Sequence, residues 1–235
     1  MSGPVLATVL LGGLAALDAT PVAQTMLSQP LVTATLLGLV WGDWRVALEV
    51  GVVLQLLAAS TMPIGGRAPE DYAAGGVVGA GVALAAAAQH PFLMVQEAAA
   101  LAGVLAGLAT ALLGVPLTRW QRRRNEGVAR WCEAAVRGGD EGAVGRAQGA
   151  GVVLAFGVGV GYSAVCLALG VWLLGPLAAA HSLRLARAWT LAQPLWIGLG
   201  LAQIAQTFAR GRLTRATVFL VAMLAAWFLL IVTGR

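Results

Sequence analysis

The chain has 235 residues, 59% hydrophobic and 11% charged, with a formal net charge of +5. A soluble domain of this size carries about 25% charge and could not solvate so much apolar surface, which excludes a soluble enzyme or binding module. All 15 basic residues are arginine; they lie between apolar runs, where they set membrane topology rather than grip nucleic acid.

Apolar runs cover about 4–17, 21–40, 46–62, 73–89, 91–117, 150–180, 188–208 and 214–233. They read as an all-α, polytopic integral membrane protein with about seven to nine membrane segments. The first run ends in small residues but lacks the basic stretch of a cleaved signal, so it is expected to stay on the chain. Several N-terminal runs are too short or interrupted to cross a hydrocarbon core of about 30 Å, which predicts broken or re-entrant helices. Interrupted backbone at membrane depth must be covered by protein or by a polar cavity.

The stretch "DWRVALEVGVVLQLLAASTMPIGGRAPEDY", residues 43–72, concentrates the polar groups. Asp43 follows a helix-length run and can cap or terminate it at the interface, while Glu49 can snorkel or pair with Arg45 one turn earlier, a pair worth a few tenths of a kcal/mol. Gln55 sits inside an apolar run, where an unbonded amide costs about 1–3 kcal/mol, so it clamps a neighbouring helix or holds a ligand. Pro63, Gly65, Gly66 and Pro69 then stop any helix and free backbone groups. Arg67, Glu70 and Asp71, with Asp18 from the first segment, either close a structural polar network or face a solute.

The long polar stretch 118–149 carries seven arginines, which places it on the cytoplasmic side. It divides the chain into a membrane half 1–117, a basic linker 118–149 and a membrane half 150–235. Counting outward, 181–187 is external, 209–215 cytoplasmic and the C-terminus external. Trp120, Val128, Trp131 and Ala135 recur at helical spacing, so part of the linker is expected to be an amphipathic helix, serving as a solvated linker with tryptophan anchors or as a docking surface. "SQPLV" at 28–32 and "AQPLW" at 192–196 leave an inverted repeat open. Cys132 and Cys166 suit neither a disulfide nor a metal site, and no metal or cofactor is expected.

Residues 17–75 resemble the membrane subunit IIC of the mannose/fructose/sorbose family of sugar phosphotransferase systems. The family pattern is an early Leu-Asp, a Gln before an "(S/H)RPLV" box, a "GLxLGD" turn, an "LE(L/M)" pair and "(P/N)IGAAxxPD". The corresponding residues are Leu17-Asp18, Gln24, "SQPLV", "GLVWGD" at 38–43, "LQL" at 54–56 and "PIGGRAPED" at 63–71. The resemblance implies a sugar permease of the bacterial inner membrane, assembled with a IID membrane subunit. It also implies cytosolic IIA and IIB phosphocarriers, of which IIB phosphorylates the incoming sugar. Neither His90 nor His181 reads as the phosphohistidine, so this chain is expected to bind and pass sugar without carrying the phosphate. A sugar needs many hydrogen-bonding groups in an apolar pocket, and Asp18, Gln24, Gln55, Gly65, Gly66, Glu70 and Asp71 supply them. Two departures stand out: Gln29 replaces the family's arginine and Gln55 its glutamate, a double loss that preserves neutrality. A non-transporting scaffold and an ion-coupled transporter using Asp43, Glu49 or Asp71 as a proton relay remain the rival readings.

Overall fold

The computed structural model describes residues 3–19, 21–22, 24–59, 69–208 and 212–232. Among these it shows eight helices and no strand: α1 (Gly3–Ala19), α2 (Pro30–Trp41), α3 (Trp44–Ala58), α4 (Tyr72–Gln89), α5 (Gln96–Arg137), α6 (Ala143–Ala180), α7 (Ser182–Phe208) and α8 (Arg212–Val232). The expected all-helical polytopic architecture is therefore present, and α4, α5 and α6 are each long and apolar enough to cross a bilayer.

The second apolar run is shorter as a helix than its hydropathy suggests. It turns helical only at Pro30, which occupies the first helical turn, where its missing N–H costs nothing. Before it, Gln24 and Met26 adopt positive φ, 52° and 69°, which no helix contains. Gly42, at φ 79°, ends α2 in the left-handed region, and the Asp43 carboxylate accepts the Val46 N–H at 3.4 Å to start α3. With 12 and 15 residues, α2 and α3 span about 18 and 22 Å at 1.5 Å per residue. They form a helical hairpin too short for two full crossings, as expected for the broken N-terminal half.

The centre of the bundle is α4, in which every residue from Ala74 to Ala86 is buried. It packs against α1, α2, α3, α5 and α6, so its sequence is apolar on all sides and built from glycine, alanine and valine. Gly75 and Gly79 face Gly107 and Gly103 of α5. A Cβ on Gly79 would lie 2.9 Å from the Gly103 carbonyl oxygen, and one on Gly107 2.7 Å from that of Gly75. Small residues four apart on both helices let the backbones meet, the main source of helix affinity where lipid removes the hydrophobic drive. Gly12 and Gly159 bring α1 and α6 together in the same way.

Polar clamps add direction to this packing. The Trp41 indole N–H donates to Thr8 Oγ1 at 3.1 Å, and that hydroxyl donates to Pro4 O at 2.8 Å, fixing the hairpin tip to α1. Trp41→Phe is expected to lower stability by about 1 kcal/mol, the net worth of one such bond, read as the midpoint of thermal unfolding in detergent.

The stretch 118–149 is more ordered than a linker. Helix α5 continues unbroken past Pro116 to Arg137, chain reversal takes Gly138–Gly142, and α6 returns from Ala143. Asp140 accepts from Gly142 N at 3.1 Å and bonds Arg146, closing the turn. The arginine-rich segment is thus the projecting part of a long helical hairpin. The two similar boxes differ in structure: Pro30 opens a helix, whereas Pro194 lies within α7.

Candidate substrate site

Asp18, Gln24, Gln29, Gln55, Glu70 and Asp71, all singled out above, lie at one end of the bundle, the end from which the α5–α6 hairpin projects. Asp18 closes α1 and is buried. Its Oδ2 accepts the Ser28 N–H at 2.8 Å, and its Oδ1 accepts from the Thr25 hydroxyl at 2.7 Å and from the Thr25 N–H. One carboxylate therefore folds residues 24–29 back onto α1, which holds the positive-φ turns in place and leaves Gln24 exposed on the outer side. Asp18 thus fixes Thr25 and Ser28, the residues next to Gln24 and Gln29.

Gln55, near the end of α3, reaches across to the start of α2. Its carbonyl accepts the Leu31 N–H at 3.3 Å and its Nε2 donates to Gln29 Oε1 at 2.8 Å. Gln29 is the N-cap of α2 and makes no side-chain cap of its own, so Gln55 satisfies an orphan amide of the first turn from another helix. The two positions that depart from the family pattern are hydrogen-bonded to each other.

Asp71 is the N-cap of α4. Its Oδ1 accepts the Ala74 N–H at 3.0 Å, while its own N–H donates to Ala111 O at 3.0 Å. It packs on Gly114, where a Cβ would come within 2.6 Å of its own Cβ. A cavity of about 30 Å³ opens beside it, lined also by Gly12, Thr118, Gln121 and Tyr162. That is room for water, far below the roughly 300 Å³ of a ligand pocket. The Tyr162 hydroxyl donates to Thr110 O at 2.5 Å, tying α6 to α5 beside it. Glu70 directly precedes Asp71 and its carbonyl accepts the Tyr72 N–H at 3.0 Å. Gly65 and Gly66, with Pro63 and Arg67, fall outside the described residues.

Glu49 and Asp43 do not join this group. Glu49 accepts the N–H of Trp189, a buried indole on α7, at 3.1 Å, instead of pairing with Arg45, whose guanidinium lies 5.7 Å from the Trp44 ring centroid. It sits six residues before Gln55 on α3, about 9 Å along the helix axis, toward the opposite end.

The sequence reading did not anticipate Thr25, Ser28, Tyr162 or Trp189 as partners. Tyr162 alone carried a readable signal, as a lone phenol inside the apolar run "GVGVGYSAV".

A comparison with curated proteins found no match. The model of one protein family, described as the PTS system sorbose-specific IIC component, matches residues 4–232, nearly the whole chain and not only the 17–75 stretch that carries the recognisable motifs. A helical membrane bundle with Leu17-Asp18, "SQPLV", "GLVWGD" and "PIGGRAPED" in this order therefore belongs to the family of sorbose-specific IIC components, the sugar permease subunits of mannose-type phosphotransferase systems.

Proposed function

We propose that this chain binds its sugar at the hairpin-side end of the bundle, between the α2–α3 opening and the start of α4. Gln24, Gln55, Glu70 and Asp71 supply the hydrogen-bonding groups, with the backbone around Gly65 and Gly66, and Asp18 holds the loop that carries Gln24. The observation that carries this reading is the bridge from Gln55 to Gln29 and Leu31. It sets two adaptable amides, each with donors and an acceptor, near the end of α3 and at the same end of the bundle as Asp71.

The arrangement around Asp71 is closed, because its cavity takes water and not a hexose. A sugar enters only when this end opens, and its binding energy then selects the open state.

Membership of the family supports the rest of the proposal. A IID membrane subunit completes the permease in an oligomeric complex of the bacterial inner membrane, and IIA and IIB relay the phosphoryl group. The arginine-rich hairpin then marks the cytoplasmic face, so the proposed site lies on the side where IIB works. The phosphorylated product is an anion, too costly to return through a low-dielectric path.

Phosphoryl transfer to sugar, measured in membranes with and without this chain, tests the reading. Transfer that depends on the chain is expected. Transfer that persists without it would return the chain to a scaffold role, and uptake driven by pH without a phosphoryl donor would make it an ion-coupled carrier.

A further inference from the structure

Two tryptophans and two arginines meet in a groove on one side of the α5–α6 hairpin. The Arg124 guanidinium lies 5.4 Å from the centroid of the Trp120 ring, and that of Arg146 lies 5.8 Å from the Trp131 ring. Ala150 and Leu154 of α6 complete an open groove of about 720 Å³. Leu154 belongs to the apolar part of α6, and Trp120 follows the apolar part of α5 by one turn, so the groove starts at the edge of the membrane span. It rises from there toward Trp131, 11 residues and about 16 Å further along α5.

Its chemistry is that of an amphiphile site. The walls are aromatic and aliphatic, and the only charges lining it are guanidiniums, planar forks that match phosphate oxygens. Arg146 spends part of its fork on Asp140, but a guanidinium has five N–H donors. Both tryptophans remain partly open, 37% and 48% exposed, as interfacial rings are. The surrounding stretch 118–149 carries seven arginines against four acids, which attracts the anionic lipid of a cytoplasmic leaflet.

We propose that this groove is a binding site for an anionic phospholipid of the adjoining leaflet. The phosphodiester bridges toward Arg124 and Arg146, and the glycerol and upper acyl chain lie against Trp120 and Leu154. Such a lipid fastens the base of the hairpin to the membrane surface and fixes its angle to the bundle.

Native mass spectrometry of the full chain in detergent, titrated with phosphatidylglycerol or phosphatidylcholine, tests this directly. Several-fold greater retention of phosphatidylglycerol is expected, falling to the phosphatidylcholine level in the double variant Arg124→Gln, Arg146→Gln. Arg130→Gln, Arg137→Gln removes the same charge outside the groove and is expected to keep the preference. Equal retention of the two lipids, or equal loss in both double variants, would overturn a defined site. Displacement of the lipid by millimolar inorganic phosphate would make it a small-anion site. Wild-type lipid retention in the groove variant, with loss of binding to an acidic phosphocarrier, would make it a protein-docking surface.

Discussion

Gly79→Leu is expected to abolish the folded bundle, with Gly107→Leu close behind. A Cβ on Gly79 would lie 2.9 Å both from the Gly103 carbonyl oxygen and from Leu54 Cδ1, and one on Gly107 would lie 2.6 Å from Leu54 Cδ1 and 2.7 Å from the Gly75 oxygen. Leucine side chains can turn away, but the carbonyls belong to the backbones of two helices locked along α4 and α5. Even alanine therefore forces the helices apart, at about 1–3 kcal/mol for overpacking, and leucine opens the same seam by several further atoms. Because α4 touches five other helices, that displacement spreads through the whole bundle. Gly157 on α6 has nothing within 4 Å, so Gly157→Leu is expected to remain folded. Size-exclusion elution of detergent-solubilised protein separates the two classes: aggregation for Gly79→Leu, a monodisperse peak for Gly157→Leu. A monodisperse peak for both would refute the close α4–α5 seam.

The second large effect belongs to Gln29 and Gln55, which behave as one unit. Gln55→Leu removes the cap on the half-buried Leu31 N–H and leaves the exposed Gln29 amide to water, a loss of about 0.5–1.5 kcal/mol, the net worth of one hydrogen bond. Gln55→Glu keeps the acceptor for Leu31 but gives up the donor to Gln29 Oε1, and Gln29→Arg adds a charge facing a neutral amide. The double exchange Gln29→Arg, Gln55→Glu places opposite charges at two side chains already in contact and restores complementarity. Its stability is expected to exceed the sum of the single effects by about 0.5–3 kcal/mol, the coupling seen between touching residues. Thermal unfolding of the four proteins measures this, and simple additivity would show that the two side chains do not interact.

Much of the fold was legible because bilayer-length apolar runs and helices obey the same length rule, and each run overlaps one helix of the structure. The misplacements have physical causes. The run from 21 to 40 begins with a loop because the Asp18 carboxylate collects Thr25 and Ser28 from seven and ten residues away, a tertiary contact that hydropathy does not encode. The 118–149 stretch is polar yet largely helical, since arginine is among the better helix formers, and its charge reports membrane sidedness rather than secondary structure. Glu49 invited pairing with Arg45 by helical spacing, but its partner is Trp189, 140 residues later. Gln29 and Gln55 were each visible as departures from the family pattern. Their contact was not, because a separation of 26 residues on two different helices has no periodic signature.

Of the three carboxylates in the rival proton-relay reading, Asp43, Glu49 and Asp71, the first two lie away from the proposed site. Asp43 caps α3 at the end opposite Gln55, and Glu49, midway along α3, holds a buried indole, so both carboxylates are engaged in fixing helices. Glu49 thereby becomes the natural internal comparison for any test of the substrate site.

Equilibrium sugar binding to the purified complex, by calorimetry, is the most direct test of where the substrate is held. Gln55→Leu and Asp71→Asn are each predicted to weaken binding about tenfold or more, the effect of losing roughly 1.4 kcal/mol of hydrogen bonding, while Glu49→Gln keeps wild-type affinity. Wild-type affinity in both Gln55→Leu and Asp71→Asn would place the sugar elsewhere and contradict the account.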